Sequence, residues 1–326
     1  MDKIVVCVFN KRRAELMGIA IFLVLLYHLF CASGFHKKLQ LLQNGFIGVD
    51  FFVILSGYGL CFAYNKYNCR LFYFRRFARI LPLFWIQAFI YLVGVCILKY
   101  FNVSSFVGKT IELGTIINIF STFSFWRGGD GFYNWYVSAI CFLYLLFPLF
   151  FFLVKKLGVR FYLLVSIFSY AILASFDVEW QLDCLISRIP MFIFGILCYD
   201  EIKCNGKVGW MLLISLMFWI VLFTYNVSNF FMVSSVSTVL LFVICNLFNN
   251  YVIFNEKVCA LLAFLGRHSY EIYISNYFTM TTVKMICNNQ IDILRVVVSY
   301  IVASSLYGYF FILLSKRINK IVYKWL

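Results

Sequence analysis

The chain repeats one pattern from end to end: an apolar stretch long enough to cross a bilayer, then a short segment that carries Lys or Arg. A bilayer core takes about 20 mostly apolar residues per helix, within a range of about 17 to 25. By that measure ten stretches are predicted to span: 15–33, 45–64, 80–98, 135–154, 161–176, 185–199, 209–225, 230–248, 270–287 and 293–314. A weaker apolar segment, 113–125, is predicted to re-enter the membrane or lie on it. Composition excludes the other classes. With 64% hydrophobic and 13% charged residues, the chain is too apolar for disorder and has too little polar sequence to coat a soluble globule. There is no internal repeat, no low-complexity tract and no soluble domain. The predicted fold is all-α: one polytopic transmembrane helix bundle over 1–326.

The net charge of +15 would raise the question of nucleic acid in a soluble protein. In a membrane protein it reports sidedness instead, because cytoplasmic loops are enriched in Lys and Arg. With the N-terminus inside and the spans alternating, 20 of the 28 basic residues fall on the cytoplasmic side. Ten spans with both termini cytoplasmic fit that bias. An odd count would put the basic tail, Lys316, Arg317, Lys320 and Lys324, outside. Arg188 is among the eight basic residues assigned to outer segments. The reading is therefore a multi-pass protein of the cell's inner, cytoplasmic membrane, with the lipid bilayer and not nucleic acid as its surroundings. The 12 cysteines make no C-x-x-C and read as small buried hydrophobes. Three histidines without a Cys/His cluster predict no metal site.

Ionisable side chains inside spans are rare and mark function by default. The first hairpin carries two, His28 and Asp50. Counted from the helix ends, at 1.5 Å rise per residue, they are predicted to sit at similar depth. Such a pair either fixes an imidazole tautomer and raises its basicity, or forms a structural polar clamp. On the second span, Asp50, Ile54, Gly57 and Cys61 share a face, and Gly57 lets a helix or ligand approach. Arg75, Arg76 and Arg79, at i,i+3 and i,i+4 spacings, are predicted to project to one side. They could fork onto phosphates, or anchor the helix against anionic lipid.

These residues fall into motifs that resemble the acyltransferase 3 family of integral membrane acyltransferases. Glu15-Leu16-Met17-Gly18-Ile19-Ala20 with His28 is similar to its opening helix. Gly45-Phe46-Ile47-Gly48-Val49-Asp50-Phe51-Phe52-Val53-Ile54-Leu55-Ser56-Gly57-Tyr58 matches its second motif, and Arg75-Arg76-Phe77-Ala78-Arg79-Ile80-Leu81-Pro82 its third. Trp135-Tyr136-Val137-Ser138 with Tyr144-Leu145-Leu146-Phe147-Pro148-Leu149 resembles the fourth, and Leu265-Gly266-Arg267-His268-Ser269-Tyr270-Glu271-Ile272-Tyr273 the late motif. Two positions depart. The family usually carries Arg eleven residues before the helix-1 His, where this chain has Met17. Arg13, about 60° from that face, is long enough to snorkel toward it. A His often follows the late motif, and here Asn276 stands near that place.

The resemblance implies transfer of an acyl group, usually acetyl, from cytoplasmic acyl-CoA to a hydroxyl of a surface or exported glycan or glycolipid. Acetyl-CoA or another acyl-CoA would be a co-substrate, with no permanently bound cofactor. In that scheme Arg75, Arg76, Arg79 and Arg13 hold the CoA phosphates. His28 is the general base or a transient acyl carrier, and Asp50 orients it. Trp135, Tyr136 and Ser138 line the acceptor side, with Glu15, Ser56, Gly57, Ser269, Tyr270 and Glu271 in support. Two other classes were weighed: a glycan or lipid transporter or flippase with a His28–Asp50 proton relay, and a glycan polymerase. Internal pseudo-repeats would favour the first of these and charged outer loops the second.

Overall fold

A computed structural model describes residues 9–101, 112–123, 125–127, 134–203, 240–241, 243–245, 255–287 and 292–322. Among them every regular element is helical and there is no strand. The α-helices are α1 (Arg13–Ala32), α2 (Ile47–Lys66), α3 (Cys69–Tyr100), α4 (Leu113–Phe120), α5 (Trp135–Leu157), α6 (Val159–Ser175), α7 (Trp180–Ile186), α8 (Ile189–Lys203), α9 (Glu256–Arg267), α10 (Ser269–Cys287) and α11 (Ile293–Val322). A 3-10 segment, Lys37–Phe46, leads into α2. Six segments among the described residues are long and apolar enough to cross a membrane: Arg13–Ala32, Lys37–Lys66, Cys69–Ile97, Trp135–Leu157, Trp180–Tyr199 and Ile293–Val322. The predicted span 209–225 lies outside the described residues, as does most of 230–248.

Three expected elements differ in the structure. The third span was predicted over 80–98, but α3 begins eleven residues earlier. Asn68 caps it, its side chain accepting the Leu71 N–H at 2.8 Å. The Arg75–Arg79 motif is therefore helical throughout. The single span predicted over 185–199 is two helices, α7 and α8, broken at Ser187–Arg188. Pro190 stands in the first turn of α8, where its missing N–H costs nothing. The segment 113–125 contains α4, an eight-residue, mainly apolar helix docked on α3 by the Trp85 indole N–H, which donates to the Phe120 carbonyl at 2.9 Å.

Lipid offers apolar side chains no drive to associate, so membrane helices pair through small residues and polar contacts. The crossing of α2 and α8 uses two glycines reciprocally. A Cβ at Gly57 would meet the Phe192 carbonyl, and one at Gly195 the Ile54 carbonyl. The α1–α9 crossing uses Gly18 against the Leu262 carbonyl and Gly266 against that of Ala14. Polar contacts join other helices. Asn134 donates to Gln87 Oε1 at 2.6 Å, and Gln87 Nε2 donates to the Ile274 carbonyl of α10 at 2.8 Å. Outward, α3 exposes Trp85, Phe89, Val93 and Ile97, and α11 exposes Val298, Ile301, Leu306 and Phe310, which form stripes suited to acyl chains.

The first hairpin has a register that depth counting missed. The 3-10 segment packs back along α1, so that Gly45 lies on the Leu23 carbonyl and Gly48 on that of Ala20. Continued from Gly48, this antiparallel register sets Asp50 opposite the turn of α1 near Gly18. His28 is ten residues, nearly three turns, further on, roughly 15 Å along the helix axis. The equal depth expected for His28 and Asp50 is thus corrected, because the connection re-enters beside α1 and starts α2 lower.

Candidate active site

The bundle encloses a cavity of about 350 Å³ at the arginine-bearing end of α1. Arg13 and Met17 of α1, Arg76 and Arg79 of α3, and Arg267 at the end of α9 line it. Its walls are Phe52, Ser56 and Leu60 of α2, Tyr136, Ile140 and Tyr144 of α5, and Ser269, Tyr270 and Tyr273 of α10. Four arginines and no carboxylate are among the described lining residues. Arg79 and Arg267 are exposed at the rim, whereas Arg13 and Arg76 are partly buried. Such a cavity selects a multiply charged anion whose remaining body is apolar or hydroxyl-bearing.

Arg13 is held in place by the backbone of α2. Arg13 Nη2 donates to the Leu55 carbonyl at 3.0 Å, and Gly59 leaves the space its guanidinium occupies. Met17 lies one turn from Arg13 on the same wall, so the arginine missing from the family-like position is present four residues earlier. Tyr270 fixes α10 to α3, its hydroxyl donating to the Ile80 carbonyl at 2.8 Å.

Arg75 departs from its expected role. Its Nη1 donates to the Tyr67 hydroxyl at 3.0 Å and its guanidinium lies 4.4 Å from that ring's centroid. Adjacent residues on a helix diverge by about 100°, which separates Arg75 from Arg76. The expected three-arginine cluster on α3 therefore supplies the cavity with Arg76 and Arg79 only, and Arg13 and Arg267 complete it. Arg267 had been counted only as a basic residue of a cytoplasmic segment.

Two polar groups, one buried and one partly buried, stand outside the cavity's lining residues. The first centres on Asp50, 0% exposed, which forms an ion pair with Arg188 at 3.1 Å. Arg188, 2% exposed, also donates to the Cys184 carbonyl at 3.0 Å and lies over the Trp135 ring at 4.8 Å. Arg188 is thus a buried residue of the α7–α8 break, where sequence reading placed it in an outer segment. Its signal was Pro190 inside an apolar run, which marks a helix start and hence a break just before it. The second group is His28. Its Nδ1 contacts the side-chain amide nitrogen of Asn276, and the Tyr300 hydroxyl donates to Asn276 Oδ1 at 2.8 Å.

The remaining expected residues are tied into the scaffold. Ser138 Oγ donates to the Thr122 carbonyl at 2.7 Å. Glu15 pairs with Arg12 at 3.1 Å. Glu271 accepts from the Ser315 hydroxyl at 2.7 Å. Gly57 serves the α2–α8 crossing.

A family model for the acyltransferase domain, acyltransferase 3, matches residues 16–315. The chain belongs to that family. No curated protein and no solved structure matches it. The match begins on α1 and ends on α11, so it takes in Met17, His28, Asp50, Arg76, Arg79, Arg188, Arg267, Asn276 and Tyr300 together. An acyltransferase 3 member with several apolar helices is a multi-pass membrane acyltransferase. Both polar groups and all but one of the cavity's arginines lie within the matched span, Arg13 being just before it.

Proposed function

We propose that this acyltransferase moves an acyl group, acetyl in the simplest case, from cytoplasmic acyl-CoA to a hydroxyl of an exported or surface glycan, in the inner membrane. The observation that carries the reading is the cavity: four arginines, no lining carboxylate, and an apolar, tyrosine-rich depth. A nucleotide with several phosphates and a thin thioester-bearing arm fits that division. Arg13, Arg76, Arg79 and Arg267 bind the phosphates, and the arm runs past Tyr136 and Tyr273 toward His28. Along α1, Met17 and His28 are eleven residues, or roughly 16 Å, apart, a separation suited to an extended arm.

At His28 a neutral imidazole takes the proton of the acceptor hydroxyl. The oxygen bonds to the thioester carbonyl carbon, the carbon–sulfur bond breaks, and the imidazolium returns the proton to the departing thiolate. Free CoA thiol and the acylated acceptor leave. Asp50 contributes through Arg188 and Trp135, which hold α2, α5 and α8 around this path.

The test is transfer of label from [14C]acetyl-CoA to glycan in membranes carrying the protein. Replacing a general base costs about 10²- to 10⁴-fold. His28→Ala should lower transfer by that factor with the acetyl-CoA KM unchanged. Full transfer by His28→Ala would refute this mechanism, and absence of label in glycan with the intact protein would refute the assigned substrates.

A further inference from the structure

Proton transfer at His28 needs one ring nitrogen with a free lone pair and the other held. The depth argument from sequence gave the second task to Asp50, but Asp50 is nearly three turns away along the hairpin and paired with Arg188. The group in contact with Nδ1 is the amide of Asn276 on α10, which is 1% exposed. Behind it stands Tyr300 of α11, 4% exposed, with its hydroxyl on Asn276 Oδ1 at 2.8 Å. Three helices therefore contribute one residue each to a line of polar atoms, His28–Asn276–Tyr300.

The chemistry of that line is distinctive. An amide offers a donor at one atom and an acceptor at the other, and a phenol hydroxyl can donate or accept. The line therefore closes with the amide either way round. With the amide nitrogen toward the ring, Nδ1 accepts and the ring proton sits on Nε2. With the amide oxygen toward the ring, Nδ1–H donates and Nε2 keeps the lone pair a base requires. Only the second arrangement also suits the imidazolium formed after proton uptake, since both ring nitrogens then carry hydrogen.

We propose that Asn276, backed by Tyr300, is the positioning residue of His28: its amide sets the ring tautomer and turns its oxygen to Nδ1–H during turnover. The proposal rests on the reading of His28 as the reacting imidazole. It assigns the orienting role to a neutral amide, which leaves the site without a fixed negative charge. Asp50 is left to the α2–α8 contact.

The experiment is ¹⁵N NMR of the full-length protein in detergent, labelled at histidine. The chain has three histidines, and the His28 signals are those lost in His28→Gln. The wild type should show one defined neutral tautomer. Asn276→Asp, nearly isosteric and only an acceptor when ionised, should lock the Nδ1–H form. Tyr300→Phe keeps the ring and removes the backing hydroxyl, and should give a mixture of tautomers. In turnover, misplacing a reacting group by about 1 Å costs on the order of 100-fold. Asn276→Leu should lose kcat by about that factor with the acyl-CoA KM unchanged, while Asn276→Asp stays within a few-fold of wild type. Tautomer signals identical in wild type, Asn276→Asp and Tyr300→Phe would overturn the proposal, and so would equal loss of kcat in Asn276→Asp and Asn276→Leu. The NMR result is independent of turnover. If His28→Ala retained transfer, the catalytic reading would fall while the spectra still decided what positions the ring.

Discussion

At its first turn α1 presents Arg13 to a cavity that also holds Arg76, Arg79 and Arg267 and whose lining has no carboxylate. About four turns on, it presents His28 to an amide that is itself backed by a hydroxyl. Positive charge at the first end faces space, and the polar atoms at the second face one another. Guanidinium groups brought to one cavity repel one another, and a bound polyanion relieves that repulsion. The first end is therefore built to bind something that comes and goes. A closed line of hydrogen bonds fixes an imidazole instead, so the second end is built to hold geometry. The Asp50–Arg188 pair belongs to neither and ties α2 to the α7–α8 break.

The largest effect expected from breaking this arrangement is at that pair. Removing one partner of a buried ion pair leaves a charge without compensation and costs about 3–5 kcal/mol. Arg188→Ala should therefore lower the thermal midpoint in detergent far more than any change at the cavity. The double variant Asp50→Leu with Arg188→Met leaves no lone charge and should recover much of the loss. A midpoint unchanged in Arg188→Ala would show that the pair does not hold α2 to α8.

Next in size is Arg76→Ala, whose side chain is partly buried. A hydrogen bond to a charged group contributes about 1.5–3 kcal/mol, which corresponds to roughly a 10- to 100-fold rise in the acyl-CoA KM. Its kcat should hold, and Arg79→Ala, exposed at the rim, should raise KM less. Variants of His28 should show the reverse pattern, kcat lost and KM kept. If the arginine variants lowered kcat at unchanged KM, the division between a binding end and a geometric end would collapse.

Much of this was legible in the chain, and particular residues show where legibility stopped. Long apolar runs fixed the helical class, because a spanning segment must satisfy its own backbone and only a helix or closed barrel does so. Arg76, Arg79, Arg13, Ser56 and Tyr270, singled out by motif and spacing, all line the cavity. Asp50 was found but given the wrong partner. Its depth depended on Lys37–Phe46 folding back beside α1, a tertiary choice that no count of residues reveals. Arg188 was hidden by charge counting, which treats an arginine near the outer end of a predicted span, here 185–199, as an end charge. Tyr300 carried no signal, since a tyrosine in an apolar helix looks like packing until its neighbour on another helix is known.

The smallest effect should come from Arg267, and it tests the comparison most finely. Its side chain is exposed at the rim, where solvent screens it, so its contribution resembles that of a surface ion pair. Arg267→Ala should raise the acyl-CoA KM only roughly two- to fivefold. That difference should vanish near 1 M salt, where the screening length falls to about 3 Å. Arg76→Ala, partly buried, should keep most of its KM penalty under the same salt. Measuring the acyl-CoA KM of both variants across a salt series therefore separates a rim that steers the anion inward from a depth that grips it. Equal salt sensitivity in the two would mean that the four arginines act as one diffuse positive surface, and that the cavity has no graded interior.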